Sequence, residues 1–381
     1  MSIQLAPMPS NVTLSKVQNG TKTREPIDKI DIIPVNALDG GTRIAIDRLA
    51  LENETKHLKN AFFNRDSVEA SADFSRKAVF WLLLYSANSL TFAAPVVQLG
   101  IPGVRCLKIQ THNYAPLGTP LMSDGFDPAV FQQRLYRMGY QALICPVLER
   151  KSKFAQKFND PLSVFWSSHI SRAWLRPGWS EEQILSSKRR KELRRLAKKV
   201  PLDHNVLRGA AARDEGFKEF CRLEALGWKG DFGTAIKQEE HVFSYANALV
   251  GRHAEEGTLT LDCLRDGDRT VAMLITFQSG GRGAIWKVAH DPEYDHVSPG
   301  RQVILAATKR FLEENPNVSM DSLADENHPL INKIWPDRLD LGTMALALGR
   351  SNLPAKILSG LDELETRLRA KARIVRKRLR G

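Results

Sequence analysis

The fold is decided by residues 284–303, which read AIWKVAHDPEYDHVSPGRQV. Ala284 to Ala289 predict a strand, and the Ser298 side chain is then expected to cap a helix that carries Pro299 in its first turn. Apolar residues recur at helical spacing from Val303 to Leu312 and indicate a buried helix face. The centre of the second half is therefore a strand, a short loop and a helix, in that order.

The first half of the chain repeats this order of elements. In the second half, strands are predicted at Thr258 to Leu264, Thr270 to Gln278, Ala284 to Ala289 and Val318 to Leu323. In the first half, strands are predicted at Val79 to Tyr85, Leu90 to Val97, Arg105 to Gln110 and Ala142 to Val147, with a helix after Asp127. We therefore predict an α/β (α+β) fold of two similar domains in tandem, each a mixed, mostly antiparallel sheet flanked by helices.

Composition and element order divide the chain into five predicted segments. They are a flexible N-terminal tail (1–30), an N-terminal domain (31–155), a connector with a basic helix (156–200), a C-terminal domain (201–355) and a basic amphipathic C-terminal helix (356–381). The first residues are polar and lack the charged and apolar regions of a secretory signal, which predicts a cytoplasmic protein. The cysteines lie far apart without a CxxC pair, so we predict buried thiols and no metal site.

One long stretch, from Ala78 to Val104, contains no charged residue and is long enough to span a membrane. Polar residues and prolines interrupt it, however, and Ala87-Asn88-Ser89 is typical of a turn between two strand-length apolar runs. We therefore predict a buried hairpin here.

The net charge of +12 is concentrated in two runs. Residues 188–199 carry +7 and residues 367–381 carry +8, so the rest of the chain is slightly acidic. This distribution argues against a nucleic-acid groove across the fold, and it favours local docking of two helices to phosphates or to an anionic surface. Solvated helix faces would explain both runs equally well.

The second basic run belongs to a predicted amphipathic helix at the end of the chain. Its apolar positions recur at intervals of three and four, at Leu361, Leu364, Leu368, Ala372, Val375 and Leu379. Such a helix can pack on its own domain, pair with a partner helix or lie on an anionic bilayer. The cationic last turns favour the bilayer among the external partners, which predicts a location peripheral to the inner membrane.

The two predicted helix starts differ in charge. Asp127 places a carboxylate on the free N–H groups of the first helix and repels an incoming anion. Ser298 leaves the second helix end neutral, Gly300 lets a ligand approach the backbone, and Arg301 adds a cation. We therefore expect a phosphorylated cofactor at the second start only, although an ordinary capped helix shows the same Ser-Pro pattern.

Several motifs in this order resemble the BcsL/CelD-type acetyltransferases of the GNAT superfamily. They are SKRRKELRR (187–195), LEALGWKG (223–230) with GTAI (233–236), WKVAHD (286–291) and SPG (298–300). A first-half stretch, YAPLGTPL (114–121), is similar as well, so the resemblance covers residues 30 to 350. It implies a double GNAT fold and acyl transfer from acetyl-CoA or another acyl-CoA, in a group associated with cellulose or other exopolysaccharide synthesis.

The resemblance also implies where the cofactor binds. In GNAT enzymes one strand receives the pantetheine arm through backbone hydrogen bonds, and the next helix start receives the pyrophosphate. The corresponding residues here are Val288, Ala289, Ser298, Pro299, Gly300, Arg301, Gln302 and Val303. The common GNAT signature has Gln or Arg followed by two spaced glycines, whereas this chain offers Gly300 alone.

Acyl transfer to an amine or hydroxyl acceptor needs a group that removes a proton. Glu224 and Asp291 are the candidate bases because both lie in family-like motifs, and His290 is a third candidate. Trp228 and Lys229 are candidates for the acceptor site, because an aromatic ring beside a donor suits a saccharide or peptide. Structural roles explain these residues as well, with Glu224 paired to a cation, Asp291 ending a strand and Trp228 in the core.

Two other functions fit the same motifs. The first is a FemAB-type aminoacyl or peptidyl transferase that uses aminoacyl-tRNA and holds the RNA phosphates with the basic helix at Lys188. The second is a non-catalytic docking protein that brings the basic C-terminal helix to a membrane-bound polysaccharide synthase. Protection by acetyl-CoA against thermal unfolding would favour acyl-CoA transfer, and salt-dependent tRNA binding would favour the first alternative.

Overall fold

The computed structural model describes residues 28–378, apart from 57–59, 102, 179, 181, 183–184 and 329. Nearly all of the predicted N-terminal tail lies outside these residues. The strands are β1 (Lys29–Pro34), β2 (Val79–Ser86), β3 (Ser89–Ile101), β4 (Val104–Ile109), β5 (Leu121–Met122), β6 (Tyr140–Glu149), β7 (Val164–Leu175), β8 (Asp203–Arg208), β9 (Leu259–Asp266), β10 (Arg269–Ser279), β11 (Arg282–His290), β12 (Ser319–Asp321) and β13 (Asp337–Ala347). The helices are α1 (Gly40–Lys56), α2 (Arg65–Ala70), α3 (Pro128–Arg137), α4 (Lys153–Gln156), α5 (Ser187–Ala197), α6 (Gly209–Ala211), α7 (Phe217–Leu226), α8 (Trp228–Asp231), α9 (Glu240–Glu255), α10 (Pro299–Glu314) and α11 (Leu353–Arg378).

The described strands form one mixed sheet that runs through both halves of the chain. Its order is β1-β2-β3-β4-β6-β13-β7-β12-β11-β10-β9-β8, and β5 pairs with β3 beside this path. The two outer groups correspond to each other, because β4 and β6 run parallel in the first half just as β11 and β12 do in the second. The other pairs within each group are antiparallel, which confirms the predicted α/β fold of mixed, mostly antiparallel strands flanked by helices, with the two similar groups joined in one sheet.

The halves exchange strands at the centre of this sheet. β13, from the end of the chain, pairs antiparallel with β6 of the first half. β7, which follows the first half, pairs antiparallel with β12 of the second half, and β7 and β13 also pair with each other. Each half therefore completes its sheet against a strand contributed by the other. The sequence analysis predicted neither β7 nor β13, and β7 lies within the segment predicted as a connector. The boundaries of the five segments stay a prediction.

The long apolar stretch forms the predicted hairpin. β2 and β3 pair antiparallel along their length, and Ala87 and Asn88 take φ angles of 48° and 66° at the turn between them. Two successive positive φ angles match the twist of the flanking strands, and asparagine tolerates this conformation well. Residues 81–84 are fully buried, so the buried hairpin is confirmed. In the part of the chain that the structure describes, no helix is long and apolar enough to cross a membrane.

The first-half helix after Asp127 begins as predicted. The Asp127 carboxylate accepts hydrogen bonds from the N–H groups of Ala129 (2.8 Å) and Val130 (3.1 Å). The apolar face of this helix, α3, is buried through Phe131 and Leu135. All four cysteines are free and buried, which confirms the predicted buried thiols.

Candidate active site

β11 and β12 diverge shortly after they begin to pair. They pair in parallel only over residues 282–284 and 319–321, although β11 continues to His290. The chain then leaves β12 through Leu323, whose φ of 50° is uncommon for a residue other than glycine. Residues 285–290 of β11 therefore keep one strand edge that β12 does not cover.

An open cleft of about 480 Å³ lies at this divergence. Its lining combines both halves of the chain and includes Asn113, Pro116, Arg172, Lys229, Lys287 and Val288. The loop before β5 supplies the first two of these residues, and β7 supplies Arg172. A ligand in the cleft would therefore touch both halves at once.

The corresponding divergence in the first half is filled by the chain itself. The loop between β4 and β5 runs along the end of β6, where the Gly118 N–H donates to the Val147 carbonyl at 3.3 Å. A Cβ atom on Gly118 would lie only 1.9 Å from the Pro146 carbonyl oxygen, so the loop fits there only as glycine. Val147 has a φ of 49°, close to that of Leu323 after β12. Both halves therefore have strands that diverge at this point. In the first half, the loop between β4 and β5 fills the gap.

The start of α10 follows the predicted position but not the predicted cap. Ser298 has left-handed backbone angles (φ 54°, ψ 57°), and its side chain makes no capping hydrogen bond. Its carbonyl accepts hydrogen bonds from the N–H groups of Arg301 (3.0 Å) and Gln302 (3.3 Å). The expectation that the Ser298 hydroxyl caps the helix was therefore wrong, because the residue turns the chain with its backbone. The contrast with Asp127 is preserved at the N-cap position, where the neutral Ser298 stands in place of a carboxylate.

Gly300 is held against His290. A Cβ atom on Gly300 would lie 3.4 Å from His290 Nδ1, and His290 Nε2 lies 2.8 Å from the Asp295 carboxylate. The side of Gly300 on which a side chain would stand therefore faces the His290 ring. The absence of a side chain at this position lets α10 pack closely against β11. The expectation that Gly300 opens the backbone to a ligand is not needed to explain it.

Glu224, at the end of α7, is the centre of a buried charge cluster. Its Oε1 lies 2.5 Å from Lys229 Nζ and 3.8 Å from Lys287 Nζ, and its Oε2 accepts the Ile236 N–H at 2.8 Å. Burial by itself raises the pKa of Glu224, but the two lysines and the N–H donor outweigh burial and lower this pKa below its ordinary value. Glu224 is therefore an ionised carboxylate with low affinity for a proton.

Lys287 is the cleft residue that sequence reasoning missed. Its Nζ lies 4.2 Å from the centre of the Tyr114 ring, and the backbone carbonyl of Tyr114 accepts the Trp286 indole N–H at 2.9 Å. Burial and the nearby Lys229 lower the pKa of Lys287 to about 8, although Glu224 opposes them. The sequence feature that could have identified Lys287 as a site residue is its position as a single lysine in the otherwise apolar strand AIWKVA.

The other predicted bases lie further along β11, beside the start of α10. Asp291 is buried, and its Oδ2 pairs with Arg269 at 2.5 Å while its Oδ1 accepts the Glu293 N–H at 3.1 Å. These contacts match a carboxylate that ends a strand. The fold thus brings Glu224 and Lys229 together at the cleft and places His290 and Asp291 apart from them. The side chain of Trp228 lies outside the described part of the structure.

Residues 187–327 match the family Acetyltransf_6, described as an acetyltransferase (GNAT) domain. The matched segment runs from α5 to the loop after β12 and contains part of the cleft lining, the Glu224 cluster and the start of α10. This segment is a GNAT acetyltransferase domain. The chain is accordingly an acyltransferase enzyme.

The fold of the GNAT domain together with the first half is similar to that of several solved structures. L-PGS from Bacillus licheniformis is 12% identical with a TM-score of 0.52, and the match covers 85% of this chain and 96% of that one. FemX is 10% identical with a TM-score of 0.52, covering 82% and 98%. The C-terminal domain of a putative lysylphosphatidylglycerol synthetase from Agrobacterium fabrum is 10% identical with a TM-score of 0.51, covering 83% and 95%. At these identities the likeness shows the fold alone. No curated protein matches the chain.

The GNAT domain receives one buried cation from outside its own sequence. Arg172 on β7 donates from Nη1 to Asp321 at 3.2 Å and from Nη2 to the Pro116 carbonyl at 3.4 Å. Its buried Nε has no hydrogen-bond partner among the described residues. Arg172 was also missed in the sequence, because it reaches the cleft only through the exchange of strands. Within the described residues, no group of three or more His, Cys, Asp or Glu side chains is placed to hold a metal ion.

Proposed function

We propose that this chain moves an acyl group from an acyl-CoA, acetyl-CoA in the first place, to an amine or hydroxyl acceptor. The observation that supports this most is the open divergence of β11 and β12 beside a helix start whose N-cap residue, Ser298, is neutral. The uncovered edge at residues 285–290, including Val288 and Ala289, would bind the amides of the pantetheine arm. The first turn of α10, from Ser298 to Val303, would bind the pyrophosphate through its N–H groups and the helix dipole.

The reaction joins the acceptor nitrogen or oxygen to the thioester carbonyl carbon and breaks the carbon–sulfur bond. One proton leaves the acceptor, and one proton is needed by the departing thiolate. We assign the first transfer to Lys287, because a pKa of about 8 leaves part of this amine neutral near neutral pH. Glu224 is then a positioning residue that holds Lys287 and Lys229. Asp291 and His290 remain the alternative bases.

The acceptor would enter the cleft from the side that both halves line. Lys229 lines the cleft, and Trp228 precedes it on α8, so both stay our candidates for the acceptor site. The Tyr114 ring from the first half lies against Lys287, which lines the cleft, and an aromatic ring there would suit a saccharide acceptor. Together with the resemblance to BcsL/CelD-type enzymes, this supports an acceptor from cellulose or exopolysaccharide synthesis.

A second candidate is aminoacyl transfer from aminoacyl-tRNA. It is favoured by the position of the basic helix α5, since Glu192 on α5 lies 3.6 Å from Arg301 at the start of α10. Helix α5 therefore lies beside the proposed phosphate site and not on a remote face. FemX and the putative lysylphosphatidylglycerol synthetase share the fold, and the name of the latter implies an aminoacylated product.

A ligand panel read by thermal unfolding separates the two donors. Acetyl-CoA and longer acyl-CoAs should raise the unfolding temperature, since ligand at 100 times Kd stabilises a protein by about 2.7 kcal/mol. Deacylated tRNA should give no comparable shift at physiological salt. Stabilisation by tRNA that weakens steeply with salt, together with no response to any acyl-CoA, would overturn the first proposal in favour of the second.

A further inference from the structure

The C-terminal helix α11 presents an apolar stripe to solvent. The stripe consists of Leu353, Ile357, Leu361, Leu364 and Leu368, whose exposed fractions all lie between 49% and 59%. Their spacing of four, four, three and four residues places them on one face of the helix. Single exposed apolar residues are ordinary, but a row of five large ones on one helix marks an interaction surface.

The opposite face of α11 is already used by the protein itself. Ala355 and Leu358 are buried in a small core with residues of β4, β6 and β13. The Asp362 carboxylate accepts hydrogen bonds from the hydroxyl groups of Ser167 (3.2 Å) and Ser168 (2.8 Å) on β7. These contacts fix the rotation of the helix. Packing on its own domain therefore explains one face of α11 and leaves the apolar stripe unexplained.

The positive charge of residues 367–380 indicates which kind of partner suits the apolar stripe. Residues 367–380 contain eight Arg or Lys residues and no acidic residue, and the helix continues to Arg378. In the sequence, basic residues directly precede and follow Leu368. A second copy of α11 packed in parallel would bring two such cationic segments together, and like charges at this distance repel. An anionic lipid surface offers the opposite charge and an apolar interior.

We propose that the α11 stripe is a docking surface for a membrane containing anionic lipids. The leucines and Ile357 would enter the acyl boundary of the bilayer, and the cations that flank them would contact the lipid phosphates. The surface is distinct from the cleft, and it does not depend on the identity of the acyl donor. It would hold the acyltransferase beside acceptors that are made or carried at a membrane.

Vesicle cosedimentation of the full chain tests this docking surface. Vesicles of phosphatidylcholine and phosphatidylglycerol should bind the protein at low salt, vesicles of phosphatidylcholine alone should bind it roughly tenfold more weakly, and high salt should release it. The double variant Leu361→Gln/Leu364→Gln should lose roughly tenfold in vesicle affinity while keeping its unfolding temperature, because both side chains are exposed.

A matched control changes two exposed leucines elsewhere. Leu51→Gln/Leu162→Gln removes similar exposed apolar area outside α11, so its vesicle binding should equal that of the unchanged chain. Equal binding by the α11 variant and this control would overturn the proposal. So would failure of the full chain to bind anionic vesicles, or a concentration-dependent dimer that the α11 variant alone abolishes, since that result would assign the stripe to a second copy.

Discussion

Lys287 carries a charge in a place where a charge is unfavourable. It lies on a buried strand within 3.8 Å of Glu224, and its pKa of about 8 lies well below that of an exposed lysine. A group with this pKa can exchange protons near neutral pH, whereas an exposed lysine stays protonated there. In the proposed mechanism, the proton transfer therefore depends on how the fold buries this single residue.

The first prediction concerns the pH dependence of turnover. A base must be neutral to accept a proton, so kcat should rise as pH increases through about 8 and then level off. Lys287→Gln should abolish this rise and lower kcat roughly 10²- to 10⁴-fold, as measured at saturating acyl-CoA. A Lys287→Gln enzyme that keeps the same pH profile would exclude Lys287 and return the role to Asp291 or His290.

The second prediction separates a positioning Glu224 from a catalytic one. Glu224 raises the pKa of Lys287, so Glu224→Gln should move the rising limb of the kcat profile to lower pH and keep its shape. Gln retains the volume of the side chain and can still hydrogen-bond. If Glu224 is instead the base, Glu224→Gln should remove the limb altogether, and the two profiles are distinguishable in one titration.

Among the helices and strands, local sequence patterns were sufficient to predict those elements that are determined by their own sequence. The β2–β3 hairpin follows from two apolar runs and a turn at Ala87 and Asn88, and α3 follows from its Asp127 cap. β7 and β13 were missed because they are defined by pairing between distant parts of the chain. Arg172, which β7 brings to the cleft, was missed for the same reason. Glu224 and Lys229 were named as candidates because both lie in one family-like motif, LEALGWKG.

The third prediction concerns the loop that closes the first-half divergence. Gly118→Ala places a Cβ atom within 1.9 Å of the Pro146 carbonyl, so the backbone must shift. We expect a loss of about 1–3 kcal/mol in unfolding free energy, measured by denaturant titration. Turnover should fall as well, because the same loop supplies Asn113 and Pro116 to the cleft. Gly40→Ala, where no atom lies within 4 Å of the added Cβ, is the control and should change neither quantity appreciably.

At the scale of the whole molecule, the exchange of β7 and β13 joins two similar halves into one sheet. A half expressed alone would lose a central strand partner and would expose an unpaired sheet edge. The duplication was visible in the sequence as a repeated order of elements. The joining was not, because nothing in the local pattern of β13 identifies β6 as its partner.

The fourth prediction is that the two halves unfold together. Differential scanning calorimetry of the full chain should show one transition whose calorimetric and van't Hoff enthalpies agree, because the shared sheet couples the halves. Two separate transitions would mean that the exchanged strands contribute little to stability. They would also mean that the halves behave as independent domains.

We propose that the donor binds at the start of α10 and not at the equivalent helix of the first half. Isothermal titration of acetyl-CoA into a pair of variants tests it most directly. Ser298→Asp and Ser298→Asn have nearly the same shape and both tolerate the left-handed backbone at this position, but only the first adds a negative charge where the pyrophosphate would lie. Ser298→Asp should weaken binding by roughly tenfold or more, Ser298→Asn should bind like the unchanged chain, and Asp127→Asn in the first half should have no effect. Equal affinities for Ser298→Asp and Ser298→Asn would contradict the assignment of this helix start as the phosphate site.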